Sequence, residues 1–173
     1  DDKLSISGVP FNSTTLALFL VTTAQYRDPS AWYHLVVALD TTQATASDRC
    51  KMYVNGVQVT AFGTATYPSL HQELQYNDAI LHATRHPSGN YKCVGYLADT
   101  YFVDGTALDP TSFGEFKSGV WIPKAYTGSY GTNGFHLEYD SNANDSSGTG
   151  NNWTATSIVA GDYMLDSPTN NYA

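Results

Sequence analysis

Positive charge is scarce in this chain: 8 Lys and Arg stand against 16 Asp and Glu, a formal net charge of −8. A nucleic-acid partner or an anionic membrane surface needs a basic face, so neither is expected. Glutamate is scarcer still, confined to Glu73, Glu115 and Glu138, with Asp supplying the other acids. Glu is a helix former whereas Asp favours turns and caps, which points away from a helical protein. No run of 18 apolar residues occurs, so no helix is expected to insert into a membrane. No basic-then-apolar leader opens the chain, and its first residue is Asp instead of Met, which suits a fragment, a processed form or the ordered part of something longer. Cysteine is limited to Cys50 and Cys93, both in expected strands. They would make either one bridge across the core or two buried thiols, the thiols being the commoner outcome in a reducing cytosol.

What is abundant belongs to β proteins. Hydrophobic residues make up 42 %, with 13 Tyr, 14 Gly and many Ser, Thr and Asn. That mixture suits short strands joined by turn-rich loops, and 173 residues suit one antiparallel β-sandwich, all-β with at most one short helix. The clearest stretch is 31–62, AWYHLVVALDTTQATASDRCKMYVNGVQVTAF. Within 32–40, Tyr33, Leu35, Val37 and Leu39 share one face, and Trp32, His34, Val36, Ala38 and Asp40 the other. Asn55-Gly56 predicts a two-residue hairpin, because a type I′ turn needs positive φ at both central positions. The register then sets Val54 against Val57, Met52 against Val59 and Cys50 against Ala61, all on one face.

Residues 4–7 and 16–23 read as strands. The second, LALFLVTT, is an apolar run that periodicity alone does not separate from a buried helix. Residues 80–85 and 91–104 read as further strands, the latter apolar on both faces as a central strand would be. Residues 108–116 hold the one expected short helix, with Asp109 as N-cap and Pro110 at the first position. Residues 134–140 read as a closing strand, and 141–152, SNANDSSGTGNN, as a polar loop with the composition of a mobile segment. A last short strand over 154–159 and a departing linker over 166–173 follow. The organisation expected is a sandwich over 1–140 and a tail over 141–173.

The W-Y-H-L-V-V-A-L-D strand, followed after a polar loop by D-R-C-K-M-Y-V-N-G-V, resembles the core signature of laminin-G-like domains in the concanavalin A-like lectin/glucanase superfamily. The longer run 26–62, with YRDPSAWYH and DTTQATASDR, resembles a narrower group, the jelly-roll domains of structural proteins in tailed phages and uncultured aquatic viruses. Residues 95–123, GYLADTYFVDGTALDPTSFGEFKSGVWIP, and 145–154 continue the pattern, so the resemblance covers most of the chain from Tyr26 onward. It implies a concanavalin A-like jelly roll on a virion surface, in a tail fibre, tail tip or capsid decoration. Partners would be other virion proteins, copies of itself as a homo-oligomer such as a trimer, and host glycans. A packing domain without ligand and a secreted lectin-like adhesin are the alternatives.

Glucanases of this superfamily place paired carboxylates on a Glu-x-Asp-x-Glu type strand, whereas here only Glu138 and Asp140 come close, two apart on one strand face. His82 and His86 have a zinc-like i, i+4 spacing, but ILHATRHPSG reads as strand then turn, which sets them roughly 13 Å apart. His34 reads as a structural, hydrogen-bonded residue. No catalysis is therefore expected. Laminin-G-like domains often hold Ca²⁺ near the sandwich rim, and Asp140, Asn142, Asn144 and Asp145 form an oxygen-rich run of suitable type, with Asp99 and Asp104 a second possibility. Stacking on sugars needs aromatic faces beside amide and carboxylate groups, for which Trp121, Tyr126, Tyr130 and Trp153 are the candidates. Both tryptophans are expected more often as buried anchors than as ligand platforms.

Overall fold

Alternating apolar residues become antiparallel strands throughout, and among the described residues no helix exceeds a single short turn. The structure, a computed structural model, describes residues 2–77, 95–156 and 158–163. The chain divides into two compact units, Asp1–Val94 and Gly95–Ala173. No helix among the described residues is long and apolar enough to cross a membrane.

The first unit holds strands β1 (Ser5–Gly8), β2 (Leu18–Thr22), β3 (Leu35–Leu39), β4 (Cys50–Val54), β5 (Val57–Gln58) and β6 (Phe62–Thr66). The apolar run around LFLVT is a strand because it is paired on both sides, in the order β1-β2-β6, which satisfies its backbone groups. Its inward residues Leu18, Leu20 and Thr22 have 0 % exposure. The buried Thr22 hydroxyl accepts from the Leu4 amide at 3.2 Å and donates to the Ala24 carbonyl at 2.8 Å.

A second sheet has the order β3-β4-β5, with Val37 opposite Met52 and Leu39 opposite Cys50. Its hairpin turns at Asn55 (φ 48) and Gly56 (φ 77), and Val54 opposes Val57 as the turn chemistry requires. The Val59 amide donates to the Met52 carbonyl at 2.8 Å, as the expected register demands. His34 braces the turn: its amide donates to Asn55 Oδ1 and its carbonyl accepts from the Asn55 amide, both at 2.8 Å. Burial lowers the pKa of its ring. The expected pairing of Cys50 with Ala61 does not form. Ala61 instead accepts from the Thr23 amide, and Phe62–Thr66 crosses to β2, which brings Phe62 against the core. Strand pairing at the start of the 32–40 run begins only at Leu35, and Trp32 is 42 % exposed.

Leu18 and Leu20 from one sheet meet Cys50 from the other and Leu74, enclosed by Ile6, Ala17, Leu39, Phe62, Tyr67 and Tyr76. Cys50 is a free thiol whose pKa burial pushes up to about 11. Cys93, the strand expected over 80–85, the linker over 166–173, and His82 and His86 lie outside the described residues.

The second unit holds β7 (Thr100–Phe102), β8 (Gly114–Lys117), β9 (Val120–Pro123) and β10 (Phe135–Leu137), paired as β7–β10 and β8–β9. Three expectations are corrected here. Among the described residues of the strand expected over 91–104, pairing begins at Thr100, because Asp99 takes a left-handed φ of 49 and breaks the extended run. The helix over 108–116 shrinks to one turn, Pro110–Ser112, capped as expected by Asp109, whose side chain accepts from the Thr111 amide at 2.8 Å. From Gly114 the chain is a hairpin, turning at Ser118 (φ 50) and Gly119 (φ 83). No strand forms among the described residues of 154–159.

Replacing Leu20 with Ala should lower unfolding free energy by about 2–5 kcal/mol, because no neighbour can fill the space. Val57→Ala, at a side chain 62 % exposed, should change it by less than about 0.5 kcal/mol. Urea melts of the two variants check both values.

Candidate functional site

In β7 and β10, residues directly opposite share a face, and the register sets Tyr101 against His136 and Phe102 against Phe135. One face therefore carries an apolar stack: Phe102 on Phe135, centroids 5.4 Å apart, with Trp153 edge-on to Phe135 at 5.1 Å. The other carries a polar one, the Tyr101 and His136 rings stacked at 4.1 Å. From Tyr101 the aromatic contacts run on to Phe113 at 5.5 Å, from Phe113 to Tyr126 at 5.2 Å, and from Tyr126 edge-on to Tyr130 at 5.2 Å. Gly134 makes this closeness possible. A Cβ there would collide with the backbone carbonyls of Tyr130 and Phe102.

Polar groups border the rings. His136 Nε2 lies 2.7 Å from Asp99 Oδ1, and Nδ1 lies 2.9 Å from Ser146 Oγ. Asp104 Oδ2 accepts from both the backbone amide and the side-chain amide of Asn133 at 3.2 Å, and the Asp104 amide donates to the Tyr130 carbonyl at 2.9 Å. Burial raises the pKa of the Tyr130 hydroxyl, and the negative charges of Asp145, Asp99 and Glu138 raise it further.

The four aromatic candidates thus separate. Tyr126 and Tyr130 meet in one array, whereas Trp121 packs edge-on to Phe116 at 5.0 Å over Gly114, and Trp153 covers Phe135. Both tryptophans are half-buried, each edge-on to a phenylalanine ring.

The expected mobile loop is tied down. Asp145 Oδ1 accepts from the amides of His136 (2.8 Å) and Ser147 (2.9 Å), and Oδ2 from the Thr149 hydroxyl (2.8 Å) and the Asn151 amide (3.0 Å). Burial alone would raise this carboxyl's pKa, but the bonds from His136, Ser147 and Thr149 outweigh it and hold the group well below the ordinary carboxylate range. The loop is stitched further where the Asn151 side chain donates to the Gly134 carbonyl at 2.9 Å and the Trp153 amide to Ala143 at 3.0 Å.

Protein donors already engage two members of the expected Ca²⁺ set: all four acceptor positions of Asp145 face N–H and O–H donors, and Asn142 Oδ1 accepts from the Asn144 amide at 2.7 Å. Asp140 is exposed and bonds its neighbour Ser141. Of the second pair considered for metal, Asp99 is engaged by His136 and Asp104 by Asn133. His136 and Ser146 were not legible as site residues. No motif spacing links them to Asp99, and only the strand register together with the loop tied by Asp145 brings the three together.

Comparison with known proteins returns no matching family model, no matching curated protein and no matching solved structure.

Asp145→Asn should lower the stability of the chain at neutral pH by about 2 kcal/mol, since an amide presents donors where four donors already point. Because the folded carboxyl titrates below its unfolded value, its contribution is present above about pH 4 and is lost as pH falls. The gap between native and variant melting temperatures should therefore narrow toward about pH 2.

Proposed function

We propose that this chain is a jelly-roll module of a virion structural protein and that its second unit binds host-surface glycans at the Tyr126–Tyr130 face. The observation carrying the reading is the ring array itself: two partly buried tyrosines joined edge-on and bordered by Asp99, Asp104, Asn133 and His136. A pyranose offers an apolar C–H face and a rim of hydroxyls, which ring faces and hydrogen-bonding side chains match. Binding leaves glycosidic bonds intact on this reading, since the second unit has no pair of carboxylates on the pattern that glucanases of this superfamily use. The jelly-roll assignment draws support from two antiparallel three-stranded sheets that contribute to one core. A virion-surface location follows from the family resemblance, with secretion as a lectin-like adhesin the alternative.

One observation favours a packing role as well. Leu35 (49 % exposed), Val37 (42 %) and Val57 (62 %) lie on one face of the second sheet. An apolar stripe of this kind suits contact with a second copy of the chain or another virion protein.

A glycan-array screen of the chain should give binding that is the same with and without Ca²⁺. Tyr126→Ala and Tyr130→Ala should each weaken it about tenfold. Silence from a folded sample that is oligomeric by light scattering would transfer the reading to the packing role.

A further inference from the structure

We propose that Ser146, His136 and Asp99 form a nucleophilic serine site that hydrolyses acyl esters. The side chains are contiguous, with Asp99 Oδ1 2.7 Å from His136 Nε2 and His136 Nδ1 2.9 Å from Ser146 Oγ. With Asp99 accepting from Nε2–H, Nδ1 is left as the acceptor for the Ser146 hydroxyl, whose Oγ lies 2.9 Å from Nδ1 and 3.2 Å from its other acceptor, the His136 carbonyl. A general base needs this assignment: a lone pair toward the nucleophile and an N–H held by a carboxylate.

Exposure follows the same order. The side chains of Asp99 and His136 are 13 % and 12 % exposed, while Ser146 faces solvent. The orienting pair is thus largely dry and the nucleophile is reachable. Backbone contacts hold the geometry. The Ser146 amide donates to the His136 carbonyl at 2.9 Å, the His136 amide to Asp145 at 2.8 Å, and the imidazole lies flat on Tyr101. Asp99 sits at φ 49, a left-handed turn that Asp tolerates and that points the chain out of the strand at this residue. Glu138 Oε1, 3.8 Å from Nδ1, adds a second negative charge beside the imidazolium that would form. The imidazole presents Nδ1 to the serine, the reverse of the usual arrangement, but roles and distances define such a site more than ring orientation does.

In the first half-reaction Ser146 Oγ bonds to the acyl carbon and its proton passes to His136 Nδ1. The ester C–O bond then breaks and the alcohol leaves with that proton. Water next attacks the acyl-serine and gives its proton to Nδ1. Breaking the acyl–Oγ bond releases the carboxylic acid and returns the proton to Ser146. The Ser146 and Ser147 amides are committed to His136 and Asp145, so neither is free to steady the tetrahedral oxyanion. The expected acceleration is that of base-assisted attack, about 10²–10⁴-fold, and esters with good leaving groups react first. Tyr130, its ring 6.4 Å from that of His136, connects the serine to the sugar-binding face. The substrate class would then be O-acylated carbohydrate, a step that rests on the glycan reading, whereas the serine chemistry does not.

The test treats the full chain with a fluorophosphonate probe and, separately, with p-nitrophenyl acetate. One adduct per chain, mapped by peptide mass to Ser146, is expected. Ester turnover should fall about a hundredfold or more in Ser146→Ala and in His136→Gln. Asp99→Asn should keep the melting temperature near native yet shift the pH–rate profile of an imidazole faced by Asp99, Glu138, Tyr101 and Tyr130, with Asp145 on the His136 backbone amide. A folded native chain with no adduct at Ser146, or Ser146→Ala turning over ester as fast as native, overturns the site. A reactive Ser146 that releases no acid from O-acetylated sugars overturns the carbohydrate assignment alone.

Discussion

Antiparallel pairing places residues directly opposite one another on the same face, and both units depend on that constraint. In the first unit it sets Leu39 beside Cys50, so one sheet delivers a small buried side chain to the cluster that Leu18 and Leu20 supply from the other. In the second it sets Tyr101 against His136 and Phe102 against Phe135, one residue apart along the strand. A slip of one position would exchange the polar and apolar stacks and dismantle the site. The register of two three-residue strands thus sets which rings meet in this half of the chain.

Such short strands hold few backbone bonds of their own, and a polar loop reinforces them. Asp145 gathers four donors from four residues, one of which, the His136 amide, belongs to β10 itself. A carboxylate serves here because it is an acceptor alone, with lone pairs enough for every orphan donor of the turn. The cluster looks like a cation site in composition and is its electrostatic opposite in structure, a negative charge already solvated by protein N–H and O–H groups. What holds the loop also fixes Ser146, one residue on, against the imidazole.

Order and exposure are balanced differently in the two units. The first buries leucines against a sheet face whose Leu39 and Cys50 reach the core while Leu35, Val37 and Val57, on that same face, stay exposed. The second relies on aromatic contacts and hydrogen bonds, and its rings stay partly accessible. Large rings with polar edges suit that compromise, since they bury area while leaving hydroxyls and ring faces toward solvent.

How much of this was legible in the chain follows from the range of each interaction. The all-β class, the Asn55-Gly56 turn with its Val54–Val57 register and the Asp109 cap all follow from residues within a few positions of each other, whereas the run around LFLVT is settled as a strand only by its pairing with β1 and β6. The turn chemistry of Ser118-Gly119 is equally local, and reading 108–116 as a helix hid it. Beyond that range the sequence is silent. Whether the chain after Val59 continues along β4 or crosses to β2 depends on where Phe62 finds a core to fill. The meeting of Asp99, His136 and Ser146, separated by 37 and 10 positions, depends on strand register and on a loop closed by its own carboxylate. Local steric preference is written in neighbouring residues. Proximity across dozens of positions is a property of packing, and only the tertiary structure decides it.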